Sequence, residues 1–91
     1  MKTYVANDNI ISENVGIKET DDVMLFNQKT EDVHVVNSVA YEIFSALKQP
    51  RSESELVEFF SNLYSIERDS IRDDIKELLA DFLQKDIIKE L

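Results

Sequence analysis

Few side chains in this 91-residue chain could do chemistry. His34 is the sole histidine and there is no cysteine, which excludes a disulfide, a thiolate zinc site, iron–sulfur ligation and a cysteine nucleophile. One imidazole beside the turn residues Glu31 and Asp32 is a poor start for a metal site and reads as a strand residue, or as a contact for a bound peptide. Ser38 stands before a helical segment as a nucleophile would, but its neighbours are Asn37 and Val39. A nucleophile elbow needs glycine on both sides, so helix capping by Asn37 or Ser38 is the better account. The single glycine, Gly16, rules out phosphate loops and dinucleotide turns. The acidic pairs Asp21-Asp22 and Asp73-Asp74 lack the glycine and alternating oxygen ligands of a calcium loop. Asp73, Glu77 and Asp81 recur every fourth residue on one side of a helix, and the acidic residues read as a hydrated surface or as a site for a basic residue of a ligand. The expectation is a binding protein, without catalytic residues, metal or cofactor.

The charge balance narrows what it binds. The net charge is −9, from 19 acidic and 10 basic residues. Nucleic-acid binding depends on lysine and arginine neutralising phosphates, so this balance works against it. No apolar run reaches the length of a membrane span, and MKTYVANDN lacks the apolar segment of a secretion signal. A cytoplasmic protein without membrane contact is expected, folded as one domain over residues 1–91.

The elements that must position any site follow from periodicity. Residues 1–14 read as a lead-in containing one short strand at most, with Ile10 and Ile11 as its only strong anchors. Strands are predicted at about 16–20, 23–27 and 32–36, with QKTED (28–32) turning the chain between the last two. At Asn37 the period changes: Val39, Ala40, Ile43, Phe44 and Leu47 have helical spacing, giving a helix over 38–48 that Pro50 ends. Ser52 and Glu55 fit a capping box for a second helix, with Leu56, Val57, Phe59, Phe60 and Leu63 as its buried side, ending near Tyr64. A third runs from Glu67 to Lys85 on Ile71, Ile75, Leu78 and Phe82, with Leu79 and Leu83 to one side as further core or as the floor of a groove. Ile87, Ile88 and Leu91 form a short strand or a packed tail. Three strands followed by three helices give an α+β fold: a three-stranded antiparallel sheet under a helical bundle, winged helix-turn-helix-like in topology. If the third strand lies at the sheet edge, its unpaired backbone groups can accept an extended peptide.

The segment Val36-Asn37-Ser38-Val39-Ala40-Tyr41-Glu42-Ile43-Phe44 resembles the strand-to-helix junction of the PqqD-like family, with Val36 in place of the usual leucine. Ile71, Asp74-Ile75, Leu78-Leu79 and Phe82 are similar to that family's third-helix pattern, although the usual glycine after the helix is missing from Asp86-Ile87-Ile88. Order and spacing agree from about residue 10 to residue 88. The resemblance implies a non-catalytic recognition element for ribosomally made, modified peptides. It would capture the leader of a precursor peptide and present the core to a modifying enzyme or leader peptidase, in a lasso-peptide, radical-SAM or quinone-cofactor pathway. Carried over, the peptide would add as a strand along Val33, His34, Val35 and Val36. It would lie against a cleft wall from Arg72, Ile75, Lys76 and Leu79, with Leu83 at its end.

Two other classes remain open. A scaffold or oligomerisation subunit would use the surplus apolar side chains of the third helix. A winged-helix DNA-binding regulator would need a basic recognition helix, whereas this one carries Glu67, Asp69, Asp73, Asp74, Glu77, Asp81 and Asp86 against Arg68, Arg72, Lys76 and Lys85.

Overall fold

The computed structural model describes residues 2–14 and 22–91. In chain order the elements are β1 (Thr3–Ala6), β2 (Ile10–Asn14), β3 (Val23–Asn27), β4 (Val33–Val36), α1 (Ser38–Ala46), β5 (Arg51–Ser52), α2 (Glu53–Tyr64), α3 (Arg68–Gln84) and β6 (Ile88–Glu90). The described strands form two antiparallel sheets, ordered β2-β3-β4 and β5-β1-β6. The first is the predicted three-stranded sheet ahead of three helices. The partner of β3 is Ile10–Asn14, inside the expected lead-in; the strand expected at 16–20 lies outside the described residues. The second sheet was not anticipated. It ties the start of the chain to its end, Tyr4 pairing with Glu90 and Ala6 with Ile88.

Local hydrogen bonds set the starts of α1 and α2 and the end of α3. Asn37 caps α1, its Oδ1 accepting from the Ala40 N–H at 2.8 Å. Ser52 and Glu55 form the expected capping box on α2: the Glu55 N–H donates to Ser52 Oγ at 3.2 Å, and the Ser52 N–H donates to Glu55 Oε1 at 3.0 Å. At the end of α3 the Ile87 N–H reaches the Phe82 carbonyl (2.9 Å) and the Asp86 N–H reaches that of Leu83 (3.2 Å), the paired bonds of a Schellman ending. That ending requires the left-handed conformation, and Asp86 takes it with φ 58° where glycine would be unstrained.

The helices share one core with both sheets. Leu25, Leu47, Leu56, Phe60, Ile75, Phe82, Ile87 and Ile88 are all but closed to solvent. On α3 the buried line is Ile75, Leu79 and Phe82, with Ile71, Leu78 and Leu83 half-buried around it. This corrects the expected phase: Leu79 is core, while Ile71 and Leu78 stand at the border. On α2, Phe59 and Leu63 are exposed, not buried, because the helix packs through Leu56, Val57 and Phe60 alone.

Candidate functional site

The hairpin between β3 and β4 is fixed by a buried asparagine. Asn27 Oδ1 accepts from Asn9 Nδ2 (2.6 Å) and from the N–H groups of Lys29 (2.9 Å) and Thr30 (3.2 Å). The turn also holds Glu31 in the left-handed region at φ 66°. Together these set the register Val23↔Val36, Met24↔Val35, Leu25↔His34 and Phe26↔Val33.

The register decides where the backbone of β4 points. The Asn27 N–H donates to the Asp32 carbonyl at 2.9 Å, so the Asn27–Asp32 pair is hydrogen-bonded. Antiparallel pairs alternate between bonded and non-bonded. His34 and Val36 therefore bond inward to β3, and Val33 and Val35 turn their N–H and C=O groups to the outer edge. Among the described residues no strand covers that edge. The strand carries none of the lysine, proline or bulge devices that usually blunt an exposed edge.

Side chains divide differently. Val33 and Val35 point to the outer face of the sheet and are 51% and 62% exposed, whereas His34 and Val36 are half-buried on the inner face with Leu25 and Val23. The Nε2 atom of His34 is buried without a hydrogen-bond partner. On α1, the Tyr41 hydroxyl lies 3.5 Å from Ser12 Oγ; its hydrogen bonds, first with Ser12 and then with Ser45, hold the phenol below the usual tyrosine range.

Beside the C-terminal end of β4 lies an open apolar groove of about 330 Å³. One wall is the start of α1, with Asn37, Val39, Ala40 and Ile43; the other is α3, with Ile71, Asp74, Ile75 and Leu78; Phe60, Tyr64 and Ile66 close the end. The four α3 residues are spaced i, i+3, i+4 and i+7, one continuous helical face. The Tyr64 ring stacks on Phe60 with centroids 6.1 Å apart, and its hydroxyl donates to Glu42. Asn37 is committed to its capping bond.

The structure brings together some of the residues singled out in the sequence and separates others. Ile75 lines the groove. Arg72 lies on the opposite border of α3, paired with Asp69 at 3.0 Å, in a hollow shared with Arg68, Glu53 and Glu58 at the start of α2. Lys76 is exposed, Leu79 is core and Leu83 is half-buried; none of them lines the groove. Arg72 and Asp74 are two positions apart, roughly 160° around the helix, so a small error in phase exchanges one border for the other. The groove residues Val39, Ile66 and Tyr64 were not expected in a site. The signal for them was faint: Val39 is an apolar residue in the first turn of a helix, and Ile66 is an apolar residue in a connecting segment.

Among the described residues there is no grouping of histidine, aspartate and glutamate fit to hold a metal ion, and no helix long and apolar enough to cross a membrane. The family model for "Coenzyme PQQ synthesis protein D (PqqD)" matches residues 22–88. The solved structure described as "TbiB1 in Complex with the TbiA(beta) Leader Peptide" has the same fold, with a TM-score of 0.76 and 21% sequence identity over 93% of this chain and 94% of that one. No curated protein matches the chain in sequence.

Proposed function

The chain belongs to the PqqD family, and from that premise we propose that it binds the leader region of a ribosomally made precursor peptide without catalysing any reaction. The observation that carries the reading is the open edge of β4, where Val33 and Val35 present unpaired backbone groups, next to an apolar groove. An extended leader adds as a fourth strand along Val33–Val36, and its apolar side chains enter the groove between α1 and α3. The fold shared with TbiB1, which was solved with a leader peptide bound, supports this reading. Of the residues expected from sequence, Val33 and Val35 then act through their backbone. His34 and Val36 shape the inner side, and Ile75 contributes to the groove. Arg72, Lys76, Leu79 and Leu83 support α3 from its other border or from the core.

Binding has a concentrating effect. Ordering the leader once raises the local concentration of the attached core peptide at a partner modifying enzyme or leader peptidase in the cytoplasm. Whether that partner is a lasso-pathway peptidase, a radical-SAM enzyme or a quinone-pathway enzyme is to be read from the neighbouring genes. The outer face of the sheet, with Ile11, Val33 and Val35 exposed beside Met24 and Phe26, favours a second, compatible role as a scaffold that docks on the enzyme. The leader of a precursor encoded beside the protein should shift backbone amides in residues 32–37 and 71–78 on titration. Shifts confined to other surfaces would contradict the proposal.

A further inference from the structure

The groove has one polar group with nothing to do. Asn37 caps α1 and Tyr64 donates to Glu42, so both are satisfied within the protein. Asp74 is the only acidic or basic side chain on the lining, and it has neither an ion-pair nor a hydrogen-bond partner among the described residues. Of the other acids of α3, Asp69 pairs with Arg72 and Asp81 with Lys85, while Asp73 and Glu77, exposed like Asp74, lie off the groove. Val39, Ala40, Ile43, Phe60, Ile75 and Leu78 make most of the remaining surface apolar.

Resting on the leader-binding reading above, we infer that the leader segment seated in this groove carries a large apolar side chain and a lysine or arginine two residues from it, the cation meeting Asp74. The spacing follows from geometry. An extended peptide turns alternate side chains to the same side, about 7 Å apart. On α3, Asp74 is a near neighbour of Ile71 and Leu78, with roughly 5–6 Å between Cβ atoms at such spacings. An apolar residue over Ile71, Ile75 and Leu78 therefore leaves the next inward-facing residue within reach of the Asp74 carboxylate. The volume suits the first partner: an apolar cavity of about 150 Å³ already holds a benzene ring, and this groove offers about 330 Å³. The sign suits the second: the net charge of −9 favours approach of a cationic segment.

The test is selection from a display library of random peptides of about twelve residues, a length that spans the β4 edge and the groove at ~3.3 Å per residue. It is run on the wild type, on Asp74→Lys and on Asp73→Lys. Wild-type binders should be enriched in lysine or arginine two positions from an aromatic or branched aliphatic residue. Asp73→Lys should keep that preference, whereas Asp74→Lys should replace the basic residue with aspartate or glutamate. For a selected basic peptide, Asp74→Asn should weaken binding roughly two- to fivefold at low salt and remove most of its salt dependence. Pools with no basic preference, or with the same preference on wild type and Asp74→Lys, overturn the inference. So does inversion by Asp73→Lys to the same degree, since that would reflect the overall field. Each binder is also measured on Val35→Pro. Binders lost on Val35→Pro but indifferent to Asp74 overturn this inference and leave the strand-addition reading standing. Binders unaffected by Val35→Pro, or a library that yields none, count against both.

Discussion

Replacing Val35 by proline removes one N–H, and the register says which bond that N–H makes. Val35 lies in a non-bonded pair with Met24, so its N–H points away from β3. In the free protein the substitution breaks no sheet hydrogen bond, and proline is tolerated on an edge strand in that orientation. The stability loss should stay below about 1 kcal/mol, mainly from constraining φ. In the complex the same N–H is a donor to the incoming strand. Losing it costs about 0.5–1.5 kcal/mol, and the proline ring opposes close approach of the peptide backbone at a similar cost. The sum, about 1–3 kcal/mol, predicts leader binding weakened roughly 5- to 150-fold. Fluorescence anisotropy with a labelled leader reads the affinity, and thermal unfolding reads the fold. His34→Pro gives the contrast: its N–H bonds to β3, so that variant should lose stability before it says anything about binding. A Val35→Pro protein that unfolds like the wild type and binds the leader with unchanged affinity would refute strand addition at β4.

Other substitutions separate the site from its supports. Asn27→Ala leaves the N–H groups of Lys29 and Thr30 without their acceptor and should cost about 1–3 kcal/mol in chemical denaturation, because it loosens the hairpin that sets β4 in register. Asp86→Gly relieves a left-handed residue at the end of α3 at some cost in unfolded-chain entropy, and should raise stability by about 0.5 kcal/mol, seen as a rise of a few degrees in Tm. Leu78→Ser, at the groove border, should weaken leader binding at least about fivefold by removing apolar contact, whereas Arg72→Ala on the opposite border should leave affinity within about twofold. His34→Val removes a buried, unpartnered ring nitrogen and should leave the fold as stable as the wild type or about 1 kcal/mol more so, measured by denaturant unfolding.

Much of the fold was legible because its signals are local. The change from alternation to helical spacing at Asn37, the Ser52-Glu55 box and Pro50 are each read within a few residues, and the structure places α1 and α2 accordingly. The β5-β1-β6 sheet was not legible. A two-residue strand such as Arg51–Ser52 has no period, and its pairing with Thr3 and Tyr4 is set by the chain closing on itself. Asn27 was hidden for a similar reason: a polar residue at the end of a strand looks like any turn residue until Asn9 is brought beside it from the turn before β2. At the candidate site, the strand Val33–Val36 was readable from its run of extended-chain residues, but the side of α3 facing the groove was not. Apolar residues at 71, 75, 78, 79, 82 and 83 cover a broad arc, and only packing against α1 and α2 decides which end of it is core. The missing glycine after α3 left a real trace, since Asp86 adopts the conformation that glycine would have taken.

The most direct test of strand addition is amide hydrogen exchange at four consecutive residues, with and without bound leader. In the free protein, His34 and Val36 should already be protected by β3, with Val33 and Val35 exchanging fast. On binding, Val33 and Val35 should slow by at least about tenfold, and His34 and Val36 should change much less. Protection that rises uniformly along Val33–Val36, or that leaves Val33 and Val35 as fast as before while the leader is bound, would contradict the account.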